Sequence, residues 1–174
     1  MKVILETNRL ILRELNSDDA EKIWAMNADP DIIRYTGDKP FHSVDEARQF
    51  ILNYDDYRKN GFGRWAVISK TNDEFLGWCG LKKNEEDAID LGFRFLKAHW
   101  NRGYASESAK ACLDYAFHQL NLDEIVGRAA KENRASIRIL QKIGMEFWKE
   151  GVCHGIDDSA YFRINKEKYF RLNG

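Results

Sequence analysis

The chemistry this sequence offers most openly is anion binding by main chain. Arg102 and Gly103 sit in a short polar turn after an apolar run ending near Leu96, and a helical pattern opens at once with Tyr104, Ala105 and Ser106. A helix start presents unpartnered backbone N–H groups and the positive end of its dipole, and a glycine lets main chain approach closely, so strand, turn and helix N-terminus together make a seat for phosphate. No Gly-Lys-Ser/Thr triplet follows the turn, so the spacing of an ATP-type P-loop is absent. Asn133, with Ser136 three residues on, has the local spacing of a helix N-cap. The three cysteines, Cys79, Cys112 and Cys153, are odd in number and far apart, which fits neither a disulfide framework nor a Cys-x-x-Cys metal site. We expect reduced thiols, a cytoplasmic location and no metal.

Those residues need a scaffold, and the periodicity supplies one. Arg9 to Leu15 alternates like a first strand, and Asn16 to Asp18 then cap a helix to Ala28 that Pro30 prevents from continuing. Ser43 and Glu46 form a capping box for a second helix that runs towards Lys59 and stops at Asn60-Gly61; Ile32 to His42 between the two helices has the composition of a loop. Arg64 to Ser69, Glu74 to Leu81 and Ala88 to Leu96 are three strands joined by short polar turns, an antiparallel meander. The helix from Tyr104 carries Ala105, Ala109, Cys112, Ala116 and Leu120 on one stripe, and the strand in Asn121 to Ala130 makes it a parallel crossover. A short helix, Ser136 to Ile143, closes at Gly144; strands Glu146 to His154 and Ser159 to Asn165 follow, and Lys166 to Leu172 forms a last helical turn or two.

Composition narrows the class. A chain of 174 residues, 44% hydrophobic, with five Trp, seven Tyr and ten Phe, suits one globular domain over residues 1–174 with a substantial core. A net charge of -1 argues against a general nucleic-acid binder, and no apolar run approaches the roughly 20 residues that span a bilayer. The opening MKVILETNRL is too short an apolar run for a signal peptide. Trp148, Tyr161 and Phe162 either fill the core or form a homodimer face.

Three separated signatures stand in one order: Thr7 to Arg13, Gly92 to Glu107, and Asn133-Arg134-Ala135-Ser136 followed by Lys142 to Met145. In this the chain resembles the GNAT acetyltransferases, and within them the RimJ/RimL-like group. The resemblance implies an α/β (α+β) fold with a single mixed central sheet of about seven strands, split in the middle and flanked by helices. It implies acetyl-CoA as cosubstrate, with its pyrophosphate on the backbone of Arg102, Gly103, Tyr104, Ala105 and Ser106, its pantetheine amides beside Phe95 and Leu96, and Asn133 and Ser136 at the cofactor arm. The family often has glycine where Asn101 stands, and asparagine tolerates left-handed backbone better than most residues.

The implied reaction is direct acetyl transfer to an amine, which must first be neutral. A peptide α-amine, with a pKa of about 7.7–8.0, is partly neutral already, whereas a lysine at about 10.4 is not. Ser136 is the expected proton donor to the departing thiolate. Asp90 is the expected base, directly or through water, unless it is an exposed strand residue or pairs with a neighbour such as Arg94; His154 is a second option on pKa grounds. The acceptor is expected to be a protein N-terminus, ribosomal in the RimJ/RimL-like group, or a small-molecule amine. The competing class is an acyl-CoA-binding regulatory module without turnover. Ile32 to Phe41, the second helix and the hairpin at Gly155 are expected to meet the acceptor.

Overall fold

The computed structural model describes residues 2–153 and 155–174. Its strands are β1 (Val3–Glu6), β2 (Leu10–Arg13), β3 (Arg64–Ser69), β4 (Phe75–Lys83), β5 (Ile89–Phe95), β6 (Glu124–Ala130), β7 (Glu146–Cys153) and β8 (Ile156–Asn165). Its helices are α1 (Ala20–Ala28), α2 (Pro30–Ile33), α3 (Val44–Leu52), α4 (Asp56–Asn60), α5 (Tyr104–His118), α6 (Arg134–Lys142) and α7 (Lys166–Asn173). The eight strands form one mixed sheet in the order β1-β2-β3-β4-β5-β6-β8-β7. That is one strand more than expected: Val3–Glu6 pairs with β2, and at four residues it is too short for alternation to reveal it.

The sheet is continuous and antiparallel from β1 to β5, and again through β6, β8 and β7. Between the halves, β5 and β6 run parallel and meet at one register pair, Asp90 with Val126. Beyond it the strands diverge, leaving the facing edges of Gly92–Phe95 and Gly127–Ala130 apart, and this is the split. The parallel arrangement follows from the α5 crossover, because β5 and β6 are joined by a helix that must return along one face.

Alternation then sorts the side chains. Leu91 and Phe95 of β5, with Trp65, Val67, Cys79 and Leu81, face the core under α5, α6 and α7, where Ala109, Cys112 and Ala116 of the predicted stripe are fully buried. Ala66, Ile68 and Trp78 face α1 and α3 through Ile23, Met26 and Ala47. The even β5 residues Asp90, Gly92 and Arg94 share the Trp78 side, since Trp78 pairs with Arg94.

The expected second helix breaks into α3 and α4, and the loop of Ile32 to His42 begins with the short α2, started by Pro30 at its first position. Asn133 caps α6, accepting from Ser136 N at 3.3 Å. Tyr161 and Phe162 are buried in the core, and Trp148 is half-buried. The three cysteines are unbonded and buried, with Cys79 Sγ and Cys112 Sγ 3.6 Å apart. Among the described residues no helix is long and apolar enough to cross a membrane, and no group of three or more His, Cys, Asp or Glu is placed to hold a metal.

Candidate active site

The turn before α5 leaves its amides free. Asn101 (φ 61°) and Gly103 (φ 80°) both adopt left-handed backbone, and α5 starts without a side-chain cap. Its first backbone bond runs from Glu107 N to Gly103 O at 3.0 Å, so among the described residues the N–H groups of 102–106 have no acceptor. Unpartnered amides converging at a helix start suit a diphosphate.

This turn is clamped from the first signature of the chain. Glu107 accepts from Thr7 Oγ1 (2.6 Å), Arg9 N (3.0 Å) and Arg9 Nε (2.7 Å). Arg9 Nη1 donates to Arg102 O at 3.0 Å, and its guanidinium lies 4.6 Å from the Tyr104 ring centroid. A Cβ on Gly103 would stand 3.3 Å from Arg9 Nη2, besides suffering the left-handed backbone. Burial raises the Glu107 pKa, but the hydrogen bonds from Thr7 and Arg9 outweigh it and leave the carboxyl below its usual range.

The open edge of β5 continues the site. Leu96 N donates to Leu76 O (3.0 Å), so the even residues of β5 turn their backbone groups towards β4 and the odd ones, Phe93 and Phe95, towards the split. Leu96 O accepts from His99 N (2.9 Å) and Phe95 O from Trp100 Nε1 (2.9 Å). Leu96 therefore lies at the expected place with both backbone groups engaged, and the groups left open are those of Phe93 and the N–H of Phe95.

A cavity of about 340 Å³ passes through the split. On the α6 side it is lined by Asn133, Ser136 and Leu140, and on the Trp78 side by Tyr35, Thr36, Arg64, Asp90, Arg94 and Arg128. Gly92 also lines it, and a Cβ there would be 3.3 Å from the Trp78 ring.

Asp90 and Ser136 thus line one cavity from opposite faces. Asp90 does not pair with Arg94: its Oδ2 accepts from Arg128 Nε (2.6 Å) and Asn84 Nδ2 (3.4 Å), while Oδ1 has no partner among the described residues. Arg94 bonds instead to Asn27 Oδ1 and Asp38 Oδ2, both at 2.7 Å, because its side chain emerges on the Trp78 side next to the loop after α2. Burial pushes the Asp90 carboxyl up, against the pull of the Arg128 charge. Burial also raises the Cys153 thiol, to about 11, so it lines the cavity as a neutral group. His154 lies outside the described residues. Of the expected acceptor segments, the loop contributes Tyr35 and Thr36.

Arg64, Trp78 and Arg128 are absent from the sequence-based assignment. Arg128 carried a signal, being the lone charge inside the apolar run of β6 apart from its first residue. Arg64 opens β3 and Trp78 occupies mid-β4, positions that strand periodicity explains without any site.

A sequence model of the acetyltransferase (GNAT) domain matches residues 9–146. An uncharacterized N-acetyltransferase, p20, from Bacillus licheniformis is 34% identical over 175 residues, covering 95% of this chain and 97% of its own. A GNAT-family acetyltransferase from Bacillus anthracis superposes with a TM-score of 0.77 at 29% identity, over 96% of this chain and 99% of that one. The spermidine N-acetyltransferase of Vibrio cholerae, solved with CoA and spermine, gives a TM-score of 0.80 at 23% identity over 94% and 99%, a likeness of fold. Matched over most of its length by the family and by a relative of nearly equal extent, the chain belongs to the GNAT acetyltransferases and is an acetyl-CoA-dependent acyltransferase.

Proposed function

We propose that the enzyme acetylates a primary amine by direct attack in a ternary complex, with the α-amine of a polypeptide N-terminus as the leading acceptor. The observation that carries this reading is the cavity through the split, lined by Asp90 from one face and Ser136 from the other. The amides of Arg102, Gly103, Tyr104, Ala105 and Ser106 hold the pyrophosphate, and the open groups of Phe93 and Phe95 hold the pantetheine arm as an added strand does. Asn133 and Ser136 flank that arm. Bound acetyl-CoA supplies a thioester carbonyl for the amine to attack.

Asp90 takes the amine proton on Oδ1 while Arg128 fixes Oδ2, and a carboxyl raised by burial is the better base. An open-edge N–H of β5 is available to the developing charge on the carbonyl oxygen. Ser136, whose hydroxyl has no partner among the described residues, gives its proton to the leaving thiolate and regains one from solvent, and the proton held on Asp90 Oδ1 is released to solvent. The RimJ/RimL-like signatures favour an N-terminal acceptor, the three buried free thiols suit the cytoplasm, and one domain over residues 1–174 carries both substrates.

CoA release measured with DTNB across N-terminal peptides and small amines tests the reading. Asp90→Asn is expected to lower kcat about a hundredfold at pH 7. The deficit shrinks above roughly pH 8, where an α-amine is neutral unaided. A deficit independent of pH would remove Asp90 from the proton path, and acetyl-CoA binding without turnover of any amine would favour a regulatory module. Ser136→Ala is expected to slow turnover less and leave acetyl-CoA affinity within a few fold.

A further inference from the structure

Three arginines line the cavity on the Trp78 side, and two have carboxylate partners. Arg128 is bonded to both Asp90 and Glu85, and Arg94 to Asp38. Arg64 makes no ion pair among the described residues: only its backbone is held, N–H donating to Tyr54 Oη and C=O accepting from Tyr57 Oη. Its guanidinium lies over Trp78 at 4.4 Å, and that of Arg94 lies at 5.5 Å from the same ring. Stacking fixes the plane of a guanidinium while leaving its N–H edge available for bidentate contact. The charge of Arg64 is felt by both Arg94 and Asp90. Two guanidinium groups therefore lie against one indole at the cavity wall, Arg94 paired with Asp38 and Arg64 without a carboxylate among the described residues, and an anion supplies the counter-charge that Arg64 lacks.

We propose that the acceptor is a primary amine bearing a carboxylate or phosphate a few bonds from the amine, and that Arg64 on Trp78 binds that anion and sets acceptor specificity. This assignment presupposes the transfer reading above. A polyamine would set additional ammonium charge against Arg64 and Arg94. Two sources carry the favoured chemistry: an acidic side chain at the first or second residue of a polypeptide, and a small amine such as an amino acid or an amino-sugar phosphate.

The test is CoA release in three arms: peptides with Asp or Glu at position one or two against Ala-matched peptides; small anionic amines against uncharged analogues; and spermidine. In at least one of the first two arms the anionic members are expected to show about tenfold or more higher kcat/KM. Arg64→Gln should erase that preference through KM of the acceptor, with a smaller change on the uncharged analogues and none in the KM for acetyl-CoA, and Arg64→Lys should keep part of the preference. Preference for spermidine or for uncharged amines, or an equal loss on every acceptor in R64Q, overturns the proposal while sparing the transfer reading. If no amine turns over, calorimetry with the same amines on the CoA-bound protein decides. Arg64-dependent binding of the anionic members then preserves the anion site and sinks the transfer reading, and no such binding sinks both.

Discussion

At the turn before α5 the groups offered to a ligand are main-chain amides, and Thr7, Arg9 and Glu107 serve to hold the turn in shape. Across the sheet, beside Trp78, the offered groups are charged side chains brought from β3, β5 and β6. As the proposed donor end, the turn can keep that function through changes of most side-chain types, because a backbone amide survives substitution. The acceptor end cannot, because its character lies in which charges are paired and which is left over. A family that keeps one donor and varies its acceptor is served by that division.

Substitutions that break or sharpen this contrast fall in a definite order. The largest effect belongs to the acceptor end. Arg128→Met leaves Asp90 buried without its cation, and we expect a loss of about 3–5 kcal/mol of stability by denaturant unfolding. The Asp90 carboxyl is already raised by burial, and without Arg128 it rises further. A raised carboxyl destabilises the fold only when ionised, so the R128M deficit should be greatest at pH 8 and diminish towards pH 5. A deficit that grows on acidification would contradict this ion pairing.

Next comes the main chain of the donor end. Gly103→Val imposes left-handed strain of about 1–3 kcal/mol and crowds Arg9, so acetyl-CoA affinity by calorimetry should fall roughly tenfold to a hundredfold with little change in acceptor preference. Side chains of the same turn should matter least. The Arg9–Glu107 pair is partly exposed, and Glu107→Gln should weaken acetyl-CoA by about fivefold. Because Glu107 is held below its usual range, its contribution is full above the ordinary glutamate value of about 4.3 and is lost as pH falls through the lower folded value. The stability gap between wild type and E107Q should therefore close below roughly pH 4. An E107Q effect as large as that of Gly103→Val would mean that side chains, not amides, dominate the donor end.

The same contrast explains what could be read from the sequence. The α5 turn is contiguous, so Arg102 to Ser106 and the helix that follows were legible from local order, as were the crossover and the cap at Asn133. Both ends of the clamp stood in signatures, Thr7 and Arg9 in the first and Glu107 at the end of the second, but their pairing across about a hundred residues was not visible. Asp90 was identifiable as a carboxylate on the strand that borders the split, but its partner was not, because pairing with Arg128 arises only where β5 and β6 meet. Arg64 and Trp78 sit on strands whose periodicity is satisfied by burial alone. The role proposed for them follows from which neighbours are already taken, a property of the assembled sheet.

The single register pair joining β5 to β6 also bears on hydrogen exchange. Amides in the middle of a sheet ordinarily exchange slowest, at the free energy of global unfolding. Here Phe93 and Phe95 belong to a central strand yet point their N–H groups into an open seam, while the intervening Arg94 is bonded to β4. Deuterium uptake along β5 should alternate residue by residue, fast at 93 and 95 and slow at 94. Saturation with CoA should flatten that alternation, reporting occupancy of the seam without any chemical step.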